Sequence, residues 1–149
     1  MVEYTLREAT PDDMLLLFDW TNDPEVRAQS FSSDAISLAN HQNWFSGKLC
    51  SDCAQIWILT ENGVPVGQIR CDCNEQNEGV LSYSIANGHR CKGHGKRIVQ
   101  MVQEKIQTRF PRVETIVAFV KPENAASQHV FLANGYEGET ERFVLRLPR

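Results

Sequence analysis

Arg90-Cys91-Lys92-Gly93-His94-Gly95 is the stretch from which the rest of the chain is read. Before it, Leu81, Tyr83 and Ile85 alternate with Ser82 and Ser84, the period of a strand with one apolar face and one face able to meet a polar ligand. After it, Ile98, Met101, Val102 and Ile106 recur at helical spacing. The hexapeptide is therefore a turn that opens a helix. The first backbone N–H groups of a helix have no intrahelical partner and sit at the positive end of its dipole, so such a turn suits a pyrophosphate. Gly93 and Gly95 let the backbone approach an anion closely, and Arg90, Lys92, Lys96 and Arg97 bring positive charge to the same place. Neither the Walker spacing nor the Gly-x-Gly-x-x-Gly dinucleotide fingerprint is present.

Outward from this turn, the elements alternate in type. Val2 to Leu6 reads as a short strand, and Thr10-Pro11-Asp12-Asp13 as a helix start, with Thr10 the cap and Pro11 in the first position. That helix runs from Met14 to about Trp20 and ends at Asn22-Asp23-Pro24. Ser37 caps a second helix over Leu38 to Leu49, with Leu38, Phe45 and Leu49 as its apolar stripe. Strands follow at Gln55 to Thr60, Val64 to Cys71 and Gly79 to Ala86, the first two joined by a hairpin at Glu61-Asn62-Gly63. Past the long helix, Thr115 to Val120 is a strand reached by a parallel crossover. A helix opened by Pro122-Glu123-Asn124 and closed by Asn134-Gly135, then a strand over Phe143 to Leu147, complete the order. These elements predict an α+β fold in one domain over residues 1–149, with helices packed on a mixed, largely antiparallel sheet.

The chain has 149 residues and a formal net charge of -4, which suits one compact domain and gives no general attraction to nucleic acid or anionic lipid. The opening Met1-Val2-Glu3-Tyr4-Thr5-Leu6 lacks the regions of a secretion signal, and no apolar run approaches the ~20 residues that span a bilayer, so a cytoplasmic location is expected. Cys50 and Cys53 form a C-x-x-C pair and Cys71 and Cys73 a C-x-C pair. Their joint spacing matches no familiar zinc finger, and Cys71 and Cys73 continue the strand alternation of Ile69 as small buried residues. Free thiols and no metal are the expectation.

A second motif stands some thirty residues after the glycine turn. Asn124, Ser127, Phe131, Gly135 and Tyr136 match Asn-x-x-Ser/Ala-x-x-x-Tyr/Phe-x-x-x-Gly-Phe/Tyr, and Arg90-x-x-Gly93-x-Gly95 matches Arg-x-x-Gly-x-Gly. Together with the element order, these signatures resemble the GNAT superfamily of acetyltransferases over nearly the whole chain. The resemblance implies acetyl-CoA as acetyl donor and a central strand pair that splays. The pantetheine arm would then lie along the backbone of Ile85, Ala86 and Asn87, and the pyrophosphate on Arg90, Cys91, Lys92, Gly93, His94, Gly95 and Lys96, with Asn124, Ser127 and Phe131 beside the donor. An amine would attack the thioester directly, without an acyl-enzyme, so no cysteine is assigned as nucleophile.

The chemistry then needs a base for the amine and an acid for the thiolate. Glu78 is the candidate base, one residue before the position where related enzymes often carry a Glu. Many members place a Tyr where this chain has Phe131, which leaves Tyr83 as the hydroxyl candidate and Tyr136 as a core residue. His89, His94 and His129 read as surface or capping residues. The N-terminal third is similar to the acceptor region of enzymes acting on nucleotide-linked aminosugars, including the pseudaminic acid pathway type. There Asn22, Arg27, His41 and Trp44 are the expected substrate contacts, with Arg27 on a diphosphate, His41 on phosphate or sugar, and Trp44 offering an aromatic face. The expected acceptor is the amine of a UDP-linked 4-amino-sugar, handled by a monomer or homodimer. The alternatives are an N-terminal peptide acetyltransferase of the ribosomal-protein type and a non-catalytic coenzyme A binding module.

Overall fold

The computed structural model describes every residue except Ser33, Thr140 and Arg149, and the backbone but not the side chain of Glu139. Strand β1 (Tyr4–Glu8) is followed by a short 3-10 turn (Pro11–Asp13), α1 (Met14–Thr21), α2 (Pro24–Gln29) and α3 (Leu38–Cys50). Next come β2 (Ala54–Glu61), β3 (Val64–Cys73), β4 (Glu78–Ile85) and α4 (His94–Arg109). The chain closes with β5 (Thr115–Phe119), α5 (Ala125–Ala133), β6 (Glu137–Glu139) and β7 (Arg142–Arg146). The described strands form one seven-stranded sheet in the order β1-β2-β3-β4-β5-β7-β6, in which the β4–β5 pair alone is parallel. This is the mixed, largely antiparallel sheet that the sequence pattern predicts.

Local chemistry explains most boundaries. Asn62 (φ 51°) and Gly63 (φ 83°) both take positive φ, the geometry that a two-residue hairpin turn requires and that Asn-Gly supplies. The first helix starts as expected, with the Asp13 carboxylate accepting from the Thr10 amide at 2.8 Å and from the Arg7 guanidinium at 2.9 Å on each oxygen. Asn22-Asp23-Pro24 does end α1, and it also starts α2: the Asp23 side chain accepts from the Glu25 amide at 2.9 Å, with Pro24 in the first turn. The cap-plus-proline signature at Asp23-Pro24 is the same as that at Thr10-Pro11, and α2 is a helix beyond those the sequence pattern predicts. Strand β1 begins two residues later than predicted because its register pairs Tyr4 with Glu61 and Glu8 with Trp57, which leaves Val2 exposed. The β6 strand is an addition; three residues with a glycine at the centre carry too little alternation to be seen in sequence.

The two sheet faces carry separate cores. Trp57, Leu59, Ile69, Cys71 and Leu81 pack with Ile98, Val99, Val102 and Ile106 of α4 and Phe131 of α5. Ile56 and Ile58 pack with Leu17 of α1 and Phe45 of α3 on the opposite face. Cys73 joins Cys71 and Ile69 on the α4 side, as alternation predicts. The α3 stripe differs from expectation, since Leu38 is exposed while His41 is buried beside Phe45. No described helix is long and apolar enough to cross a membrane.

Candidate active site

The mouth of α4 is built from backbone. Gly93 is the N-cap at φ 83°, a left-handed conformation that suits glycine, and it offers no capping side chain. The first bond of the helix runs from the Arg97 amide to the Gly93 carbonyl at 3.2 Å, so the amides of His94, Gly95 and Lys96 precede the intrahelical ladder. A Cβ on Gly95 would stand 3.3 Å from Val130 Cγ2, 3.4 Å from Tyr83 Cε2 and 3.5 Å from Tyr83 Oη. The absent side chain lets β4 and α5 close on the helix start.

Beside this mouth the sheet opens. Parallel pairing between β4 and β5 runs only from Glu78↔Thr115 to Leu81↔Ala118, while β3 follows β4 as far as Gly67↔Ile85. The central pair is splayed from Ser82 onward. The Ala86 amide donates to the Val66 carbonyl of the β3 side at 2.8 Å. Amides alternate in direction along a strand, so those of Tyr83 and Ile85 turn toward the opening. A cavity of about 890 Å³ fills the splay, reaching from Gly93 and Gly95 across Tyr83 and Ser84 to Trp20, Phe31 and Trp44.

On the α5 side of this cavity three polar side chains interlock. Asn124 caps α5 by accepting the Ser127 amide at 3.1 Å, and its Nδ2 donates to Ser127 Oγ at 3.2 Å. Ser127 Oγ and the Tyr83 hydroxyl lie 2.9 Å apart. Burial pushes the Tyr83 hydroxyl above the ordinary tyrosine value, so it holds its proton at neutral pH. The Phe131 ring packs edge-on to Tyr83 with centroids 5.8 Å apart. The two signatures of the sequence therefore meet through Tyr83, which belongs to neither.

The far end of the cavity is aromatic and basic. Arg70 of β3 sets its guanidinium 5.0 Å over the Trp44 ring while pairing with Asp72 at 2.6 Å, and Lys48 reaches Asp72 at 2.5 Å. Asp72 is held below the usual carboxylate range: the pairing with Arg70 and Lys48 outweighs the opposing effect of burial, which is the largest single influence. Among the described lining residues Glu25 is the one carboxylate, and it binds Arg90 at 2.9 Å.

Residues 4–137 match the family profile described as "Acetyltransferase (GNAT) domain". The chain belongs to the GNAT acetyltransferase family. Solved structures share its fold at low identity. A domain from Methanocaldococcus jannaschii is 16% identical with a TM-score of 0.84, covering 99% of this chain and 100% of its own. Spermidine N-acetyltransferase from Vibrio cholerae, in complex with CoA and spermine, is 14% identical with a TM-score of 0.86 over 96% of this chain and 95% of that one. Aminoglycoside acetyltransferase AAC(6')-Ib in complex with coenzyme A is 18% identical with a TM-score of 0.80 over 97% and 95%. No curated protein matches by sequence. As a GNAT acetyltransferase, the chain is an N-acetyltransferase that takes its acetyl group from acetyl-CoA.

Measured against that chemistry, the expected site residues of this acetyltransferase fall into two groups. Tyr83, Ile85, Arg90, Cys91, Gly93, His94, Gly95, Lys96, Asn124, Ser127 and Phe131 line the cavity, as do Arg27 and Trp44. Glu78 does not. It lies at the closed end of the splay, accepting from Asn74 Nδ2 at 3.0 Å and from Arg142 at 3.4 Å, and has no path to an amine in the cavity. His41 is 2% exposed, donates through Nε2 to the Met14 carbonyl at 3.2 Å and stacks on Phe45, so it is a core residue whose pKa burial pushes down. Asn22 spends both ends of its amide on Ile36, at 2.8 Å each, which pins the loop before α3.

Arg27 turns its guanidinium onto the carbonyls of Thr21, Ser32 and Asp34 at 2.6, 3.2 and 3.3 Å, organising backbone instead of facing a diphosphate. Arg90 is held by Asp23 at 3.3 Å and Glu25 at 2.9 Å, which ties the pyrophosphate loop to α2. Ala86 has spent its amide on Val66, and Asn87 and Lys92 lie outside the cavity lining. His94 is 1% exposed, not a surface residue. Arg70, Gln68 and Glu25 are among the polar lining residues that sequence reading missed, and His89, read as a surface or capping residue, also lines the cavity. The signal for the first two was the alternation of β3, which sends Gln68 and Arg70 opposite to Ile69 and Cys71, level with Ser84 and Ser82 of β4. All five cysteines are free thiols, and the Cys71 thiol is pushed up by its hydrogen bond with Cys73 and by burial.

Proposed function

We propose that this acetyltransferase transfers the acetyl group to the amine of an anionic acceptor, a nucleotide-linked aminosugar, by direct attack on the thioester. What supports the acceptor class is the charge of the cavity wall. Arg70 stands over Trp44 and shares Asp72 with Lys48, two cations to one carboxylate, and the single described lining carboxylate, Glu25, is already paired with Arg90. A polycation would meet like charge there, whereas a diphosphate gains a cationic partner and a sugar or base gains an aromatic face. The diphosphate contact assigned from sequence to Arg27 moves to Arg70.

The donor half works through backbone and one hydroxyl. The first-turn amides of α4 hold the pyrophosphate, and the pantetheine arm lies in the splay as an added strand. The amide of Ile85, turned toward the opening, donates to the thioester oxygen as negative charge develops on it. The amine releases its proton to water, and the Tyr83 hydroxyl protonates the departing thiolate in the role Phe131 cannot fill.

A thiol-release assay across UDP-aminosugars, free aminosugars, polyamines and peptides tests the acceptor class. Turnover is expected with the nucleotide-linked sugars, at a KM well below that of the free sugars. Turnover confined to polyamines or to peptide N-termini would replace this reading, and acetyl-CoA binding with no turnover on any amine would favour a binding module.

A further inference from the structure

We propose that Glu61, His89 and His94 form a site for a divalent transition metal, zinc by ligand chemistry, that ties the β2–β3 hairpin to the loop opening α4. One ligand atom from each of the three lies within 4.8 Å of the other two, and this is the one such cluster of three or more His, Cys, Asp or Glu among the described residues. The second observation is independent of that proximity. His94 is 1% exposed, and both its ring nitrogens lie buried with no hydrogen-bond partner among the described residues. Buried polar atoms in folded proteins nearly always find a partner, and a buried imidazole left bare on both nitrogens calls for one. The Glu61 carboxylate faces His94 Nε2 at 3.7 Å, too long for a hydrogen bond.

The separation suits an intervening ion. Zinc holds imidazole nitrogen and carboxylate oxygen at about 2.0–2.2 Å, which places tetrahedral ligand atoms roughly 3.3 Å apart. The Glu61–His94 pair is already close to that, and the half-exposed His89 and Glu61 side chains can rotate the remaining distance. Two imidazoles and one carboxylate form a donor set that zinc and neighbouring transition metals accept and that magnesium and calcium do not favour. An outer shell is also in place: the Tyr4 hydroxyl donates to Glu61 Oε2 at 2.9 Å, and the Arg97 guanidinium lies 3.9 Å over the Tyr4 ring. Asn62 fixes the hairpin to β1, with its amide on the Glu3 carbonyl at 2.7 Å and its side chain accepting the Glu3 amide at 2.8 Å.

The site lies at the edge of the donor cavity. Tyr4 and Glu61 do not line it, while His89 and His94 do, so the cluster sits behind the pyrophosphate loop. Three protein ligands leave a fourth position for water. The ion would fix the loop's position and make no contact with the reacting amine.

Metal-stripped protein titrated with Zn²⁺ against a chromophoric chelator, and with Co²⁺ by absorbance, tests the proposal. One equivalent per chain is expected, with the visible spectrum of tetrahedral Co²⁺ and no thiolate charge-transfer band. His94→Ala and His89→Ala should abolish that equivalent, and Tyr4→Phe should weaken it about 10- to 100-fold. His89 is half-buried, so its variant keeps the test valid if His94→Ala does not fold. The Cys50→Ser/Cys53→Ser double variant should bind as the parent does. No bound equivalent, a thiolate band, or unchanged binding in His89→Ala would overturn the assignment.

Discussion

Replacing Tyr83 by phenylalanine removes one oxygen atom from the donor side of the cavity. The structural cost is small, because Ser127 Oγ keeps the Asn124 Nδ2 bond at 3.2 Å when the 2.9 Å contact with Tyr83 is lost. A single neutral hydrogen bond of this kind contributes about 1 kcal/mol to stability. The catalytic cost is larger: a positioned general acid supplies about 10²- to 10⁴-fold, and a thiol pKa near 8.5 puts this step at the lower end. A hundredfold loss of kcat corresponds to ~2.7 kcal/mol of transition-state stabilisation. In a thiol-release assay at saturating acceptor, Tyr83→Phe should therefore lose about a hundredfold in kcat with little change in KM for acetyl-CoA. Burial raises the Tyr83 pKa above its ordinary value of 10.0, so the parent should keep this acid through neutral pH and lose it only in the alkaline range above that value. Adding Phe131→Tyr should restore part of the loss by placing a hydroxyl on the neighbouring ring. A kcat within threefold of the parent would refute the assignment of Tyr83.

Three further outcomes follow from contacts already described. Arg70→Ala removes the guanidinium over Trp44 and should raise KM for a nucleotide-linked acceptor about tenfold or more, as expected for a charge-assisted contact, while kcat stays near the parent value. Gly95→Ala places a methyl 3.3 Å from Val130 and 3.4 Å from Tyr83 at the helix start, so calorimetry should show acetyl-CoA affinity weakened about tenfold by strain and blocked approach. Asp13→Asn tests acid stability. The Arg7 hydrogen bonds hold the Asp13 carboxyl below its ordinary value of 3.8, so its contribution is present above that value and is lost as pH falls through the lowered one. Chemical denaturation should show the parent losing more stability than Asp13→Asn between neutral pH and pH ~3, and parallel pH curves would contradict the pairing.

The glycine turn was legible because its meaning is local: backbone amides at a helix start bind anions whatever lies around them. The same holds for the Asn62-Gly63 hairpin and the Asn134-Gly135 helix end, where the Gly135 φ is 86°. The splay was implied only by resemblance, since nothing in the residues of β4 says where pairing with β5 stops. The acceptor side was misread because side-chain type does not reveal direction. Arg27 and Asn22 have the chemistry of ligand contacts and spend it on backbone carbonyls and amides of the loop before α3. His41 follows the buried side of α3, where apolar spacing alone put Leu38. Glu78 was placed by proximity in sequence to a family position, and one residue along a strand reverses the face a side chain takes.

The amides of His94, Gly95 and Lys96 can be watched directly, by nitrogen–proton correlation spectra recorded while acetyl-CoA is added. Their resonances should shift more than those of any other segment and saturate together with binding, because the pyrophosphate accepts from these groups. Saturation with acetyl-CoA that leaves all three where they began would contradict the reading of this turn as the donor's phosphate site.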